Sequence, residues 1–190
     1  MKKENLLFLV VALIVGLLVG IIVGNKGSDS PKSNTSSPPP AASVANYDQN
    51  IKMLKGVVEK EPQNRNAWVQ LGHNYFDSNQ FVQAVEAYDK ALELDGNDPN
   101  VLTDQGVMFR KLGWYDRAVQ NFEKANQLNS LHAQSLYIVG IVYRYDLNDY
   151  GNAIKAWEKF LAITPPGQSA DQVRSEIEFM KTHQPQSGIK

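Results

Sequence analysis

A 34-residue period governs the sequence. Trp68, Leu102 and Leu136 lie 34 apart, as do Gly72, Gly106 and Gly140, and again Tyr75, Phe109 and Tyr143. The second half of each unit repeats too, through Phe81, Tyr115 and Tyr150, then Ala84, Ala118 and Ala153, then Tyr88, Phe122 and Trp157, then Leu94, Leu128 and Ile163. There the last step is 35, because one residue is inserted within 145–150. A period of this size means that one supersecondary unit is used several times. Each unit carries two stretches with apolar residues at helical spacing, such as Trp68, Leu71 and Tyr75 followed by Val85, Tyr88 and Leu92. Turn-forming segments at 77–79 and 95–98 separate such stretches. Two short amphipathic helices cannot bury their faces alone, so the units must stack. Gly72, Gly106 and Gly140 predict close approach of the two helices within a unit, and Asp98 followed by Pro99 predicts a capped helix start.

The pattern Trp68, Leu71-Gly72, Tyr75, Ala84, Tyr88 and Ala91 resembles the tetratricopeptide repeat family over about residues 47–165. Gln105 and Val139 depart from it at the Leu before Gly, and Gly96 and Ser130 stand where Pro62 and Pro165 close their units. Phe160 replaces Ala91 and Ala125, and must fit where a small residue allows close helix contact. The resemblance implies an all-α fold, an α-solenoid of three helix pairs over 65–98, 99–132 and 133–167, wound as a right-handed superhelix. Its ends need covering. Ile51, Leu54 and Val58 at helical spacing make 47–61 a half repeat, and Val173, Ile177 and Met180 make 169–183 a capping helix whose charged residues solvate the end. Residues 184–190 read as a flexible tail, completing a repeat domain over 47–183.

The opposite end of the chain reads differently. Residues 6–24 carry no charge, and a helix of that length spans roughly 28 Å, close to the thickness of bilayer hydrocarbon. The run exceeds the core of a cleavable signal, and its end is a poor cleavage site, so we read an uncleaved anchor after a short cytoplasmic segment, 1–5. Lys2 and Lys3 before the span place the bulk of the chain outside, in the periplasm of a bacterial inner membrane. Residues 25–46, rich in Ser, Pro and Gly, read as a disordered linker. Ala12, Gly16, Gly20 and Gly24 form one small-residue stripe that suits pairing of two anchors, hence a homo-oligomer.

Chemistry is scarce. A net charge of -1 gives no sign of a nucleic-acid binder, and with no cysteine there is no disulfide framework or thiolate metal site. His73, His132 and His183 lack partners at metal-ligand spacing, and no nucleophile elbow, phosphate loop or dinucleotide fingerprint occurs. No catalytic residue, metal or cofactor is expected; the reading is a non-enzymatic binding module.

The family resemblance implies that the first helix of each pair lines a concave groove. The candidates are Asn66, Val69, His73 and Phe76 in the first unit, Asn100, Thr103, Val107 and Arg110 in the second, and Gln134, Tyr137, Ile141 and Arg144 in the third. That lining suits a peptide with apolar anchors and an acidic group or C-terminal carboxylate for Arg110 and Arg144. Family members that grip chaperone tails use a Lys and Asn clamp; Val69, His73, Asp104, Gln134 and Ile138 stand in those places, so the clamp is absent. The layout of anchor, linker and repeats is similar to tetratricopeptide components of bacterial cytochrome c maturation. It leaves open a subunit that only organises a membrane complex, and a cytosol-facing import receptor.

Overall fold

The computed structural model describes residues 42–183, and among them it is all-helical. The helices are α1 (Ala42–Lys60), α2 (Arg65–Asp77), α3 (Phe81–Leu94), α4 (Pro99–Lys111), α5 (Tyr115–Leu128), α6 (Ala133–Ile141), α7 (Tyr150–Ile163) and α8 (Gln168–Thr182). A π-helical turn, Val142–Asp146, prolongs α6. Each helix packs chiefly on its neighbour in the chain, as a solenoid requires. The expected span 6–24, the stripe Ala12, Gly16, Gly20 and Gly24, the segments 1–5 and 25–41, and the tail 184–190 lie outside the described residues. Among the described residues no helix is long and apolar enough to cross a membrane.

Aromatic side chains hold the two helices of each pair together. Tyr88, Phe122 and Trp157, all nearly or fully buried, lie across Gly72, Gly106 and Gly140. A Cβ on Gly72 would stand 2.5 Å from the Tyr88 ring, and one on Gly106 would stand 2.7 Å from Phe122. At Gly140 it would collide with the Trp157 indole, whose Nε1–H donates to the Tyr137 carbonyl at 2.9 Å. No other residue leaves this space, so the glycine at each step sets the helix separation.

Helix starts follow the same period. Asn64, Asp98 and His132 cap α2, α4 and α6 through their side chains, Asp98 accepting from the backbone N–H of both Asn100 and Val101. Asn79, Gly113 and Asn148 hold positive φ in the turns between paired helices, a conformation open to Gly and tolerated by Asn. The Tyr75 and Phe109 carbonyls accept from the N–H five residues on, at Gln80 and Trp114, whereas Tyr143 accepts from Asp149, six residues on. The extra residue of the third unit is thus absorbed in the wide π turn, where Leu147 N–H donates to the Val142 carbonyl.

Two departures from the repeat pattern, Gln105 and Phe160, are accommodated by their neighbours. Gln105 is buried, donates to Asp89 Oδ1 at 2.6 Å, and accepts from Asn121 Nδ2 at 2.7 Å. Phe160 is buried beside Tyr137, with ring centroids 5.4 Å apart, in a cluster completed by Val173, Ile177 and Met180 of α8. The capping helix therefore fills the space that the larger residue props open. Ile51, Leu54 and Val58 of α1 pack on Ala67 and Leu71 at the other end. Helix α1 begins at Ala42 rather than at 47, so 42–46, expected as linker, is helical; the alanine-rich stretch after Pro40 has nothing to break a helix.

Gly106→Ala should lower stability by about 1–2 kcal/mol in urea denaturation, overpacking against Phe122 outweighing the gain in helix propensity. Adding Phe122→Leu should reduce the penalty attributable to the alanine, since the clash then has no ring to meet.

Candidate functional site

The first helices α2, α4 and α6 place their side chains at one repeat spacing, so residues 73, 107 and 141 occupy equivalent positions, as do 76, 110 and 144. Between these helices lies a cavity of about 420 Å³, lined by His73, Phe76, Asp77, Tyr88, Asp104, Val107, Met108 and Gln134. Four of the expected groove residues, His73, Phe76, Val107 and Gln134, are thereby brought together. Phe76 is 36% exposed, while Val107 is half-buried against the core beneath.

His73 joins the first unit to the second. Its Nε2 lies 3.1 Å from Asp104 Oδ2, and its ring meets Tyr88 edge-on at 5.8 Å between centroids. The Asp104 hydrogen bond raises the His73 pKa above its ordinary 6.5; partial burial opposes this, and the charges of Asp104 and Asp77 reinforce it. Tyr88 reaches the cavity because Gly72 leaves room for its ring. Burial raises the Tyr88 phenol far above the ordinary range, with Asp104 and Asp77 adding to the effect.

The other expected residues do different work. Thr103 is completely buried, and its hydroxyl donates to the Pro99 carbonyl at 2.7 Å; it does not face a groove, because the helix turns it into the core and its own backbone satisfies it. Val69 and Ile141 pack against the hydrophobic clusters, and Tyr137 rests on Phe160. Asn66 is exposed but outside the cavity, and Asn100 Oδ1 lies 3.0 Å from His132 Nε2.

Both arginines expected to receive a carboxylate already hold one. Arg110 donates from Nε and Nη2 to Asp146, at 2.5 and 3.3 Å. Arg144 Nε lies 3.4 Å from Glu176 of α8, with its guanidinium over the rings of Tyr145, Tyr150 and Phe179. Glu176 thus serves as more than a solvating charge on the cap. Its side chain only 13% exposed, Arg144 is a fastener between third unit and cap rather than a docking group. Asp146 sits in the π turn that absorbs the extra residue, and it supplies the acceptor for Arg110.

Sequence reasoning missed Asp77, Tyr88 and Met108 as lining residues. Asp77 lies one helical turn beyond His73, a spacing that could have placed it on the same face. Elsewhere, depressions of about 390 and 330 Å³ open at equivalent places in the first and third units, around Trp68, Leu71 and Ala87 and around Leu136, Val139 and Ala156. In the second unit Gln105 and Asn121 occupy the matching positions. Among the described residues, no group of three or more His, Asp or Glu side chains could hold a metal.

Comparison with known proteins agrees with this architecture. Family models described as tetratricopeptide repeat match residues 66–98 and 87–120. A formate-dependent nitrite reductase complex subunit, NrfG, of Escherichia coli O157:H7 is 24% identical over 77% of this chain and 75% of its own length. The cytochrome c-type biogenesis protein CycH of Pseudomonas aeruginosa is 26% identical over 66% of this chain and 30% of its own. A bifunctional NrfFG subunit of the same kind of complex in Haemophilus influenzae is 35% identical over 41% of this chain, which spans only 19% of that protein. A crystal structure of MamA superposes with a TM-score of 0.64 over 73% of this chain and 83% of its own, at 24% identity.

The pH dependence follows from the raised His73 pKa. The pair's stabilisation is complete below 6.5 and fades as pH rises through the raised value. Asp104→Asn should therefore cost more stability at about pH 5.5 than at about pH 8, and proton NMR titration should find the His73 midpoint moved down towards 6.5.

The three successive helix pairs, their glycine contacts and the matched models agree: this chain carries tetratricopeptide repeats.

Proposed function

We propose that the chain is a membrane-tethered, non-enzymatic scaffold that binds a protein segment against the face of its first helices. The observation that carries this reading is the cavity in which His73, Phe76, Val107 and Gln134 converge from three successive first helices. It joins partly exposed apolar side chains to polar groups, the mixture that recognises a peptide by apolar anchors and a few hydrogen bonds. The arginines contribute rigidity: Arg110 ties the second unit to the third across 36 residues, and Arg144 ties the third unit to the cap across 32. A binding surface so braced loses little further freedom when a partner docks.

The tether rests on residues 6–24, whose apolar length suits a bilayer and whose flanking lysines favour a periplasmic repeat domain. The stripe of Ala12, Gly16, Gly20 and Gly24 would let two such anchors pair. Likeness to NrfG and CycH supports a more specific role in cytochrome c biogenesis or assembly, with an apocytochrome or an assembly subunit as the partner.

Photocrosslinking in the native membrane tests the binding face. With photoreactive residues at Phe76, Val107 and Gln134, and control sites at Glu86 and Lys159, protein adducts should form at the first three positions. Adducts confined to the controls would contradict the reading. A compartment reporter fused after Lys190 should report the periplasm, and a cytosolic signal would overturn the orientation.

A further inference from the structure

The cavity between the first helices has a charge as well as a shape. Its apolar wall is Phe76, Val107 and Met108, and the Tyr88 ring forms part of its lining. Its ionisable groups are Asp77, Asp104 and His73. Asp104 is partly engaged by His73, whereas Asp77 is exposed at the C-terminal end of α2 and makes no ion pair among the described residues. Both carboxylates act on the Tyr88 hydroxyl and the His73 ring, so their fields converge within the cavity. The C-terminal end of α2 adds the negative pole of its backbone dipole beside Asp77. The nearby cation on the equivalent first-helix face, Arg110, is neutralised by Asp146.

Resting on the reading of this face as a peptide site, we propose that the pocket selects a peptide segment of a partner protein carrying an arginine or lysine, the methylene stem packing on Phe76, Val107 and Met108 and the cationic head lying between Asp77 and Asp104. This reverses the sign expected from Arg110 and Arg144. A long basic side chain fits such a site in both parts, since its stem is apolar and only its head is charged. The carboxylates gain a charge-assisted hydrogen bond that a neutral side chain cannot give. An acidic side chain would face like charges in a partly desolvated pocket.

Fluorescently labelled helical peptides, identical except for a central Arg, Lys, norleucine or Glu and carrying a neighbouring benzoylphenylalanine, would be titrated against the full chain in detergent. The Arg and Lys peptides should bind about tenfold more tightly than the norleucine peptide and crosslink near Val107, with the Glu peptide weakest. Asp77→Asn, a change at an exposed position, should reduce the preference for Arg over norleucine to about threefold, and Asp77→Asn with Asp104→Asn should abolish it. Equal binding of Arg and norleucine peptides with crosslinking near Val107 would overturn the charge proposal and leave the peptide site standing. Absence of crosslinking near Val107 for every peptide would overturn both.

Discussion

The structure depends on one contact used three times: an aromatic ring laid across a glycine. Tyr88 on Gly72, Phe122 on Gly106 and Trp157 on Gly140 set the distance between the two helices of each pair. Because the rings are buried at the centre of each pair, the apolar faces of α3, α5 and α7 stay close enough to α2, α4 and α6 to form a row of hydrophobic clusters. The same contact shapes the candidate site. With no Cβ at 72, the Tyr88 ring fits across α2, meets His73 edge-on and reaches the cavity that Asp77 and Asp104 also line.

A second set of interactions works between units. Arg65 to Asp98, His73 to Asp104, Arg110 to Asp146 and Arg144 to Glu176 each join residues 31 to 36 apart in the chain. Exposed ion pairs contribute little stability, and their significance here is geometric. Asp98 illustrates the coupling: it caps α4 and receives Arg65 at once, and although burial raises its pKa, Arg65 and the N–H groups of Val101 and Asn100 together bring it below the ordinary value. The π turn belongs to the same set, because it carries the carboxylate that Arg110 requires and the guanidinium that α8 receives. An insertion that would otherwise break the repeat has become the joint between the last pair and its cap.

The fold was legible because its determinants are local or periodic. Glycine spacing, the Asp98 cap, and the apolar stripes of α1 and α8 can each be read within a few turns of helix, and each stands as expected. The site was legible only in outline. Helical periodicity puts Thr103 on the first-helix face, but it is completely buried and its hydroxyl closes on the Pro99 carbonyl. Arg110 and Arg144 look free in sequence because their partners lie a full repeat away, where only the stacked structure brings charges together. Gln105 breaks the family pattern, and its replacement for leucine makes sense only beside Asp89 and Asn121.

The proposed working surface of the molecule is the face of its first helices. Hydrogen–deuterium exchange on the full chain, compared between native membranes and the purified state, tests it directly. Exchange should be slower in native membranes over the C-terminal halves of α2 and α4, around residues 73–77 and 104–110. Protection confined to α3, α5 and α7, with those segments unchanged, would contradict it.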